Sequence, residues 1–328
     1  MIISRVPFRM SFVGGGTDLK AFYEHQYGAV LSTAINKYIY ITIKKQSELF
    51  PDRYRISYSK TENVNSVNEI EHPIIKEAFK MLEIDEPLEV SVIADIPAKT
   101  GLGSSSSFTV GLLHALHVVK GEFVSPEQLA EEAIEIEVVR LARPMGKQDH
   151  YAAAFGGMNE IRFMPDESTI VSPVVCHKDM REKFFGHLMA FYTFQTRDSH
   201  SILKEQTENT VNKMDVLKEM RDMVTPFRKV LEESGSVEGL GRVLDIAWQR
   251  KKTLQGKISN SQIDTLYEAA KGAGAIGGKL LGAGGGGFLL MVVPPEKRES
   301  VESVMYGAME LDFTYEPQGS TIIYYKED

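Results

Sequence analysis

Residues 96–107 read Ile-Pro-Ala-Lys-Thr-Gly-Leu-Gly-Ser-Ser-Ser-Ser, and this stretch constrains the chain more than any other. The segment before it, residues 88–95, has the alternating β-branched character of a strand. Residues 108–119 after it are apolar, contain no proline and only one glycine, Gly111, and so predict a buried helix. A Gly- and Ser-rich loop therefore joins a strand to a helix N-terminus. The first turn of a helix presents unpaired backbone N–H groups at the positive end of its dipole. Gly101 and Gly103 allow close backbone approach, and Ser104, Ser105, Ser106 and Ser107 add hydroxyls. One serine would suffice for a helix cap. Four after two glycines point to a phosphate-binding loop.

Two more glycine clusters flank this loop in the chain. Residues 1–10 alternate weakly as a strand and lead into a turn containing Gly14, Gly15, Gly16, Thr17 and Asp18. A short helix is expected at residues 19–25, for which Thr17 or Asp18 could serve as N-cap. Arg9 lies in the apolar strand, where a charge requires a partner. The third cluster, residues 271–287, precedes a strand at 288–293. Its Gly282, Gly284 and Gly287 match the dinucleotide fingerprint only in letters, because that fingerprint follows a strand and opens a helix.

Between these clusters, residues 29–44 predict two strands or one bent strand, residues 54–59 a strand and residues 69–82 a helix. Residues 126–143 predict a helix capped by Ser125, with Pro126 at its first position and Gln128 assisting the cap. Glu137 falls on the apolar face of that helix, whereas Glu131, Glu132 and Glu135 fall on the opposite side. A carboxylate so placed needs a cation or donors. The residues allow two readings, an arginine partner such as Arg140 or a Mg²⁺ ligand. Asp149 precedes a short helix at 151–155 that Gly156 and Gly157 end, where it could be an N-cap, and His150 reads as structural. Residues 158–163 predict a strand and 165–182 a polar loop, with a domain boundary placed after residue 184. Beyond it lie a strand at 187–196 and a helix at 199–224 stopped by Pro226. Helices follow at 226–233, 237–255, 261–270 and 296–311, and a last strand at 320–325.

Composition narrows the classes. The 328 residues suffice for two domains, and the net charge of −8 argues against a nucleic-acid surface. The single cysteine, Cys176, excludes an internal disulfide or a cysteine metal cluster and reads as a small buried hydrophobe. No apolar run reaches the ~18 residues of a membrane span, and the first residues lack a signal-peptide pattern, so a cytoplasmic protein with no membrane partner is expected.

The three loops together resemble the GHMP small-molecule kinases. The stretch Pro97 through Gly101-Leu102-Gly103-Ser104-Ser105 looks like their nucleotide motif. Val6-Pro7-Phe8-Arg9 through Gly14–Asp18 resembles their substrate motif, and Lys279 through Gly287 their C-terminal glycine motif. The resemblance implies an α+β fold: an N-terminal half (1–184) like ribosomal protein S5 domain 2, and a ferredoxin-like C-terminal half (185–328). It implies ATP on Lys99, Gly101, Leu102, Gly103 and Ser104 to Ser107, and Mg²⁺ on Ser105 and Glu137. Asp149 matches the catalytic aspartate, with Arg9 beside it as counter-charge. Arg9, Gly14, Gly15, Gly16, Thr17, Asp18, Gly284 and Gly285 would meet the acceptor. The spacing from Glu137 to Asp149 is one residue longer than in mevalonate kinase, so the loop at 143–146 must absorb an insertion. Galactokinases carry Gly-Glu-His-Thr-Asp where this chain has Gly14-Gly15-Gly16-Thr17-Asp18. The glycine form resembles instead the branch of heptose 7-phosphate kinases and fucose kinases. The expected activity is phosphorylation of the anomeric hydroxyl of a heptose 7-phosphate, for surface glycan synthesis. The alternatives are an L-fucose or other sugar 1-kinase and an inactive sugar- and ATP-binding regulator. The expected partner is a small sugar phosphate, bound by a monomer or homodimer. A 7-phosphate would need a basic clamp, for which Lys37, Lys147 and Arg197 are candidates by position.

Overall fold

The computed structural model describes residues 1–195 and 199–326. Twelve strands occur among them: β1 (Ile2–Val13), β2 (Gly28–Lys45), β3 (Tyr54–Ser57), β4 (Thr61–Val64), β5 (Leu88–Ala94), β6 (Met158–Phe163), β7 (Thr169–Pro173), β8 (Leu188–Tyr192), β9 (Gly277–Leu280), β10 (Phe288–Val292), β11 (Met309–Leu311) and β12 (Thr321–Tyr325). The larger sheet runs β12-β1-β2-β5-β3-β4, with β6 pairing β2 and β7 pairing β6. All its pairs are antiparallel except β3 with β5. The smaller sheet is antiparallel, β11-β8-β10-β9. The last strand returns to β1, and the expected boundary at residue 184 falls inside helix Lys178–Gly186.

The run at 29–44 is one strand. Pro7 faces Tyr38 and Phe8 faces Ile35, so Asn36 and Lys37 form a bulge that absorbs the polar pair without breaking the ladder. The first half of β2 then pairs with β6 and its second half with β5. β1 is buried on both faces from Val6 onward. Helix Ser104–Val119 covers one face: Ser107 Oγ donates to Pro7 O and Ser4 Oγ to Gly111 O. Phe184 and Phe227 pack on Phe12, at ring-centroid distances of 5.2 and 5.7 Å. This double cover positions Arg9 between the two halves of the chain.

Gly111 lets that helix seat on the sheet. A Cβ there would lie 2.7 Å from Val6 Cγ2 and 3.2 Å from Ile41 Cγ1. Gly111→Val is expected to destabilise the protein by about 1–3 kcal/mol through overpacking. Urea unfolding measures this, and an unchanged midpoint would contradict the packing account.

Several expectations need correction. Residues 165–182 contain β7 and the start of helix Lys178–Gly186; β7 is an edge strand whose half-solvated pattern carries little apolar periodicity and which needs β6 as template. The expected helix at 199–224 is divided into Ser199–Asn209, a 3₁₀ turn Val211–Lys213 and Met214–Asp222. Pro226 sits within the first turn of helix Val224–Glu232, where a missing N–H costs nothing. Part of the third glycine cluster is the buried strand β9. Residues 296–311 yield the end of a 3₁₀ turn, Pro295–Lys297, a short helix, Arg298–Glu302, and then β11. Cys176 is half-buried against the core. No helix among the described residues is long and apolar enough to cross a membrane.

Candidate active site

The strand–loop–helix expected at residues 88–119 is present. The loop ends β5, and Gly103, in the left-handed region at φ 81°, precedes helix Ser104–Val119. Lys99 and Gly101 are also left-handed, at φ 64° and 86°. A Cβ on Gly101 would lie 2.6 Å from Leu281 O, so the first and third glycine loops touch backbone to backbone. The Thr100 carbonyl accepts from Phe288 N–H, tying the loop to β10. Ser106 Oγ is buried without a hydrogen-bond partner and borders the cleft formed here.

Arg9, 4% exposed, finds its partner across 140 residues of chain. Its Nε donates to Asp149 Oδ1 and its Nη2 to Asp149 Oδ2, both at 2.7 Å, while Nη1 donates to Gly101 O at 2.7 Å. Such a fork fixes the carboxylate in orientation as well as charge. Asp149 is the second residue of helix Gln148–Phe155, which has no side-chain cap. The N-cap reading of Asp149 therefore gives way to the ion pair. The Thr17 and Asp18 cap readings fail likewise, since helix Lys20–Tyr23 begins after Leu19 without a side-chain cap.

Asp18 points into the site and accepts from Gly16 N–H at 3.0 Å and Gln148 Nε2 at 3.1 Å. Burial, and then the charge of Asp149, raise its pKa above the ordinary aspartate value. Thr17 has a different position. Its hydroxyl accepts from Ala29 N–H and reaches the Gly14 and Ala29 carbonyls, stapling the turn to β2 away from the cleft.

Glu137 is fully buried. The helix Pro126–Ile134 widens into one π turn, Glu135–Arg140, and such turns often mark functional positions. Ser125 caps the helix as expected, but the Gln128 side chain donates to Glu132 instead of assisting the cap. The expected Arg140 partner is not the one found. Arg140 contacts Glu135 and Glu77, and Arg143 Nη1 donates to Glu137 Oε2 at 2.5 Å. The backbone explains the exchange: Arg143 N–H donates to Glu137 O, which folds the loop back over the carboxylate. Ser105 Oγ and Thr109 Oγ1 also donate to Glu137, and His150 Nε2 lies 3.3 Å from Oε1. Burial alone would raise the Glu137 pKa, but His150, Ser105 and Arg143 outweigh it and hold the carboxyl at about 2.

Several of these groups line a cleft of about 930 Å³. Its wall includes Arg9, Gly15, Gly16, Asp18, Lys99, Gly101, Gly103, Ser104 to Ser106, Asp149 and Gly284. Gly14, Thr17, Leu102, Ser107, Glu137 and Gly285 are off the wall. Leu102 is core, Ser107 is spent on Pro7 O, and Gly285 donates its N–H to Ile258 O. Glu137 stands behind Ser105. Another cavity, of about 820 Å³ beside β11, contains none of the motif residues.

The loop suits a nucleotide phosphate, with left-handed backbone, a helix N-terminus and the orphaned Ser106 hydroxyl together. Ser105 and Glu137 offer the oxygen donors that Mg²⁺ prefers, and phosphates and water ordinarily complete its shell. Arg143 Nη1 also donates to Ser105 Oγ at 2.8 Å, so this guanidinium would have to yield to the ion.

Two of the three candidate clamp residues lie among the described residues. Lys37 lies in the β2 bulge, and Lys147 donates to Glu167 and sits over the Tyr23 ring. Arg197 lies outside the described residues. The cations on the wall that the sequence reading did not select are Arg143, Lys251 and Lys279. Lys279 is a charge inside the buried strand β9, which its glycines disguise as a loop in the sequence.

Two family models match the chain: the GHMP kinases N terminal domain over residues 73–157 and the GHMP kinases C terminal over residues 227–310. Together they span just over half of the chain. A D-glycero-alpha-D-manno-heptose 7-phosphate kinase from Campylobacter jejuni is 28% identical over 298 residues, covering 86% of each chain. A galactokinase from Pyrococcus furiosus is 25% identical, again over 86% of each. The crystal structure of a D-glycero-D-manno-heptose 1-phosphate kinase from Bacteroides thetaiotaomicron superposes with a TM-score of 0.82 at 23% identity, covering all of both chains.

Proposed function

The chain belongs to the GHMP kinases, and from that premise we propose that it transfers the γ-phosphoryl group of ATP to the anomeric hydroxyl of a heptose 7-phosphate. The observation that carries the reaction is the Arg9–Asp149 fork, placed on the cleft wall between the phosphate loop and Asp18. Asp149 orients the acceptor hydroxyl and takes its proton as the new O–P bond forms and ADP leaves. Arg9 holds the carboxylate in place. Asp18 accepts hydrogen bonds from sugar hydroxyls, aided by Gly15 and Gly16, which leave room beside it. The helix N-terminus at Ser104 and the hydroxyls of Ser104 to Ser106 bind the nucleotide phosphates. Ser105 and Glu137 would hold Mg²⁺, which when bound neutralises charge on the β- and γ-phosphates. Most of the acceleration then comes from positioning and charge stabilisation.

The heptose reading is supported by the Gly14-Gly15-Gly16-Thr17-Asp18 form of the substrate turn and by the Campylobacter relative. Asp149, Glu137 and the intact phosphate loop speak against an inactive regulator. A coupled ADP-release assay with MgATP tests the proposal against heptose 7-phosphate, the heptose without phosphate, heptose 1-phosphate, L-fucose, galactose and mevalonate. Turnover of heptose 7-phosphate far above that of every other sugar, with the new phosphate at C1, is expected. Turnover of heptose 1-phosphate would move the reacting hydroxyl; turnover of L-fucose or galactose would replace the acceptor while keeping the mechanism. Silence on every sugar with ATP bound would favour the regulator.

A further inference from the structure

Two buried lysines border the cleft, and neither pairs with a carboxylate among the described residues. Lys251 comes from helix Val237–Lys252 and Lys279 from β9. Lys279 Nζ donates to Phe12 O at 2.8 Å, and Lys251 Nζ donates to Gly282 O. An ammonium carries three donors, so each retains capacity beyond its carbonyl. Buried cations are ordinarily paired. Ser11 Oγ, on the same wall, is buried without a hydrogen-bond partner. Burial, reinforced by Arg9, lowers Lys251 to about 8; burial, Lys251 and Arg9 together lower Lys279 well below the ordinary lysine value. The two lysines therefore share one corner with each other, with Asp18 and with the Arg9–Asp149 pair, and their ammonium groups repel one another. An anion would relieve that repulsion.

The strand β1 tells which end of the cleft this corner serves. Arg9 N–H donates to Leu102 O, within the phosphate loop. Phe12 lies three residues further along β1, about 10 Å at the rise of a strand, toward the Gly14–Asp18 turn. The Lys279 end of the corner thus faces the acceptor turn, while its Lys251 end lies at Gly282, which packs on Gly101 of the phosphate loop.

We propose that Lys251, Lys279 and Ser11 form a phosphate site that holds the acceptor's own phosphoryl group. This rests on the sugar-phosphate reading above. A phosphate dianion offers the oxygen acceptors that the free ammonium donors and the Ser11 hydroxyl require, and lysine binds phosphate as a point charge. A neutral sugar leaves the two ammonium groups unpaired, so the site selects phosphorylated acceptors by penalising the others.

The test uses the full chain with Mg²⁺ and a non-hydrolysable ATP analogue at saturation, so that the nucleotide end is filled. Inorganic phosphate is then titrated by calorimetry into wild type, Lys251→Met and Lys279→Met. Wild type should bind it, and each variant should bind at least about tenfold more weakly. Retained binding of the analogue shows that each variant is folded. In parallel, the ratio of kcat/KM for heptose 7-phosphate over heptose should fall about 10²-fold in each variant. Lysine-dependent phosphate binding without turnover of heptose 7-phosphate would uphold the site and overturn the heptose reading. Phosphate binding that is absent in wild type, or that survives both substitutions, would overturn the site whatever the sugar. Loss of analogue affinity with an unchanged kcat/KM ratio would assign the lysines to the nucleotide and overturn it as well.

Discussion

Asp149→Asn should lower kcat by about 10²–10⁴-fold while ATP affinity is retained. Asparagine keeps the shape of the side chain and an oxygen for Arg9, but it cannot take a proton. Arg9 also keeps its bond to Gly101 O. The loss should therefore appear in the chemical step, with the acceptor KM changing much less. Pre-steady-state ADP release separates the two. Near-normal turnover in a folded Asp149→Asn protein would remove Asp149 as proton acceptor and leave it a positioning role for Arg9.

The second large effect belongs to Glu137. Removing the acceptor of buried hydrogen-bond donors costs about 1–3 kcal/mol, and more where a donor is charged. Glu137→Ala strands Arg143 and deprives Ser105 and Thr109 of their acceptor. A stability loss of that size, with turnover abolished even at high Mg²⁺, is expected. Glu137→Gln isolates the charge, since the amide preserves an acceptor oxygen. The carboxyl is shifted from 4.5 down to about 2, which corresponds to about 3 kcal/mol of linkage. The sign follows from the depressed value: the contribution is complete above about pH 5, where the unfolded carboxylate is already ionised, and is lost as pH falls toward 2. Denaturant midpoints of wild type and Glu137→Gln should differ by a constant amount at neutral pH and converge between about pH 4.5 and 2. A gap that persists unchanged to pH 2 would show that charge is not what Glu137 contributes.

Much of this site was legible in the chain. The candidate phosphate loop is marked by a strand, two glycines, four serines and an apolar helix. Glu137 was visible as a carboxylate on an apolar helical face, and Arg9 as a charge in an apolar strand. Each of these signals is local. Periodicity, a cap or a left-handed glycine is specified within one element by sterics and by the alternation of buried and exposed positions. The same locality explains the misread elements. β7 and β9 are short strands whose form depends on the ladder partner, and a glycine-rich strand such as β9 carries no side-chain pattern to read.

What only the tertiary structure decided is partnership. From Arg9 alone, any acid in the chain could have been its counter-charge; the fold brings Asp149 to it across 140 residues. From Glu137 alone, Arg140 was the neighbour at helical spacing, and the π turn with its returning loop substituted Arg143. Lys251 lies in a helix whose last turn reads Arg-Lys-Lys, indistinguishable from a solvated basic end. It becomes a buried cation because that helix packs against β9, and Lys279 reaches β1 across 267 residues. The physical reason is that burial and electrostatic pairing are properties of where segments meet, and those meetings are set by the crossing of the two halves over β1. The residue types and local geometry of the chemistry were written in the chain; the pairings and unpaired charges that give those residues roles arise only when the sheets close around the cleft.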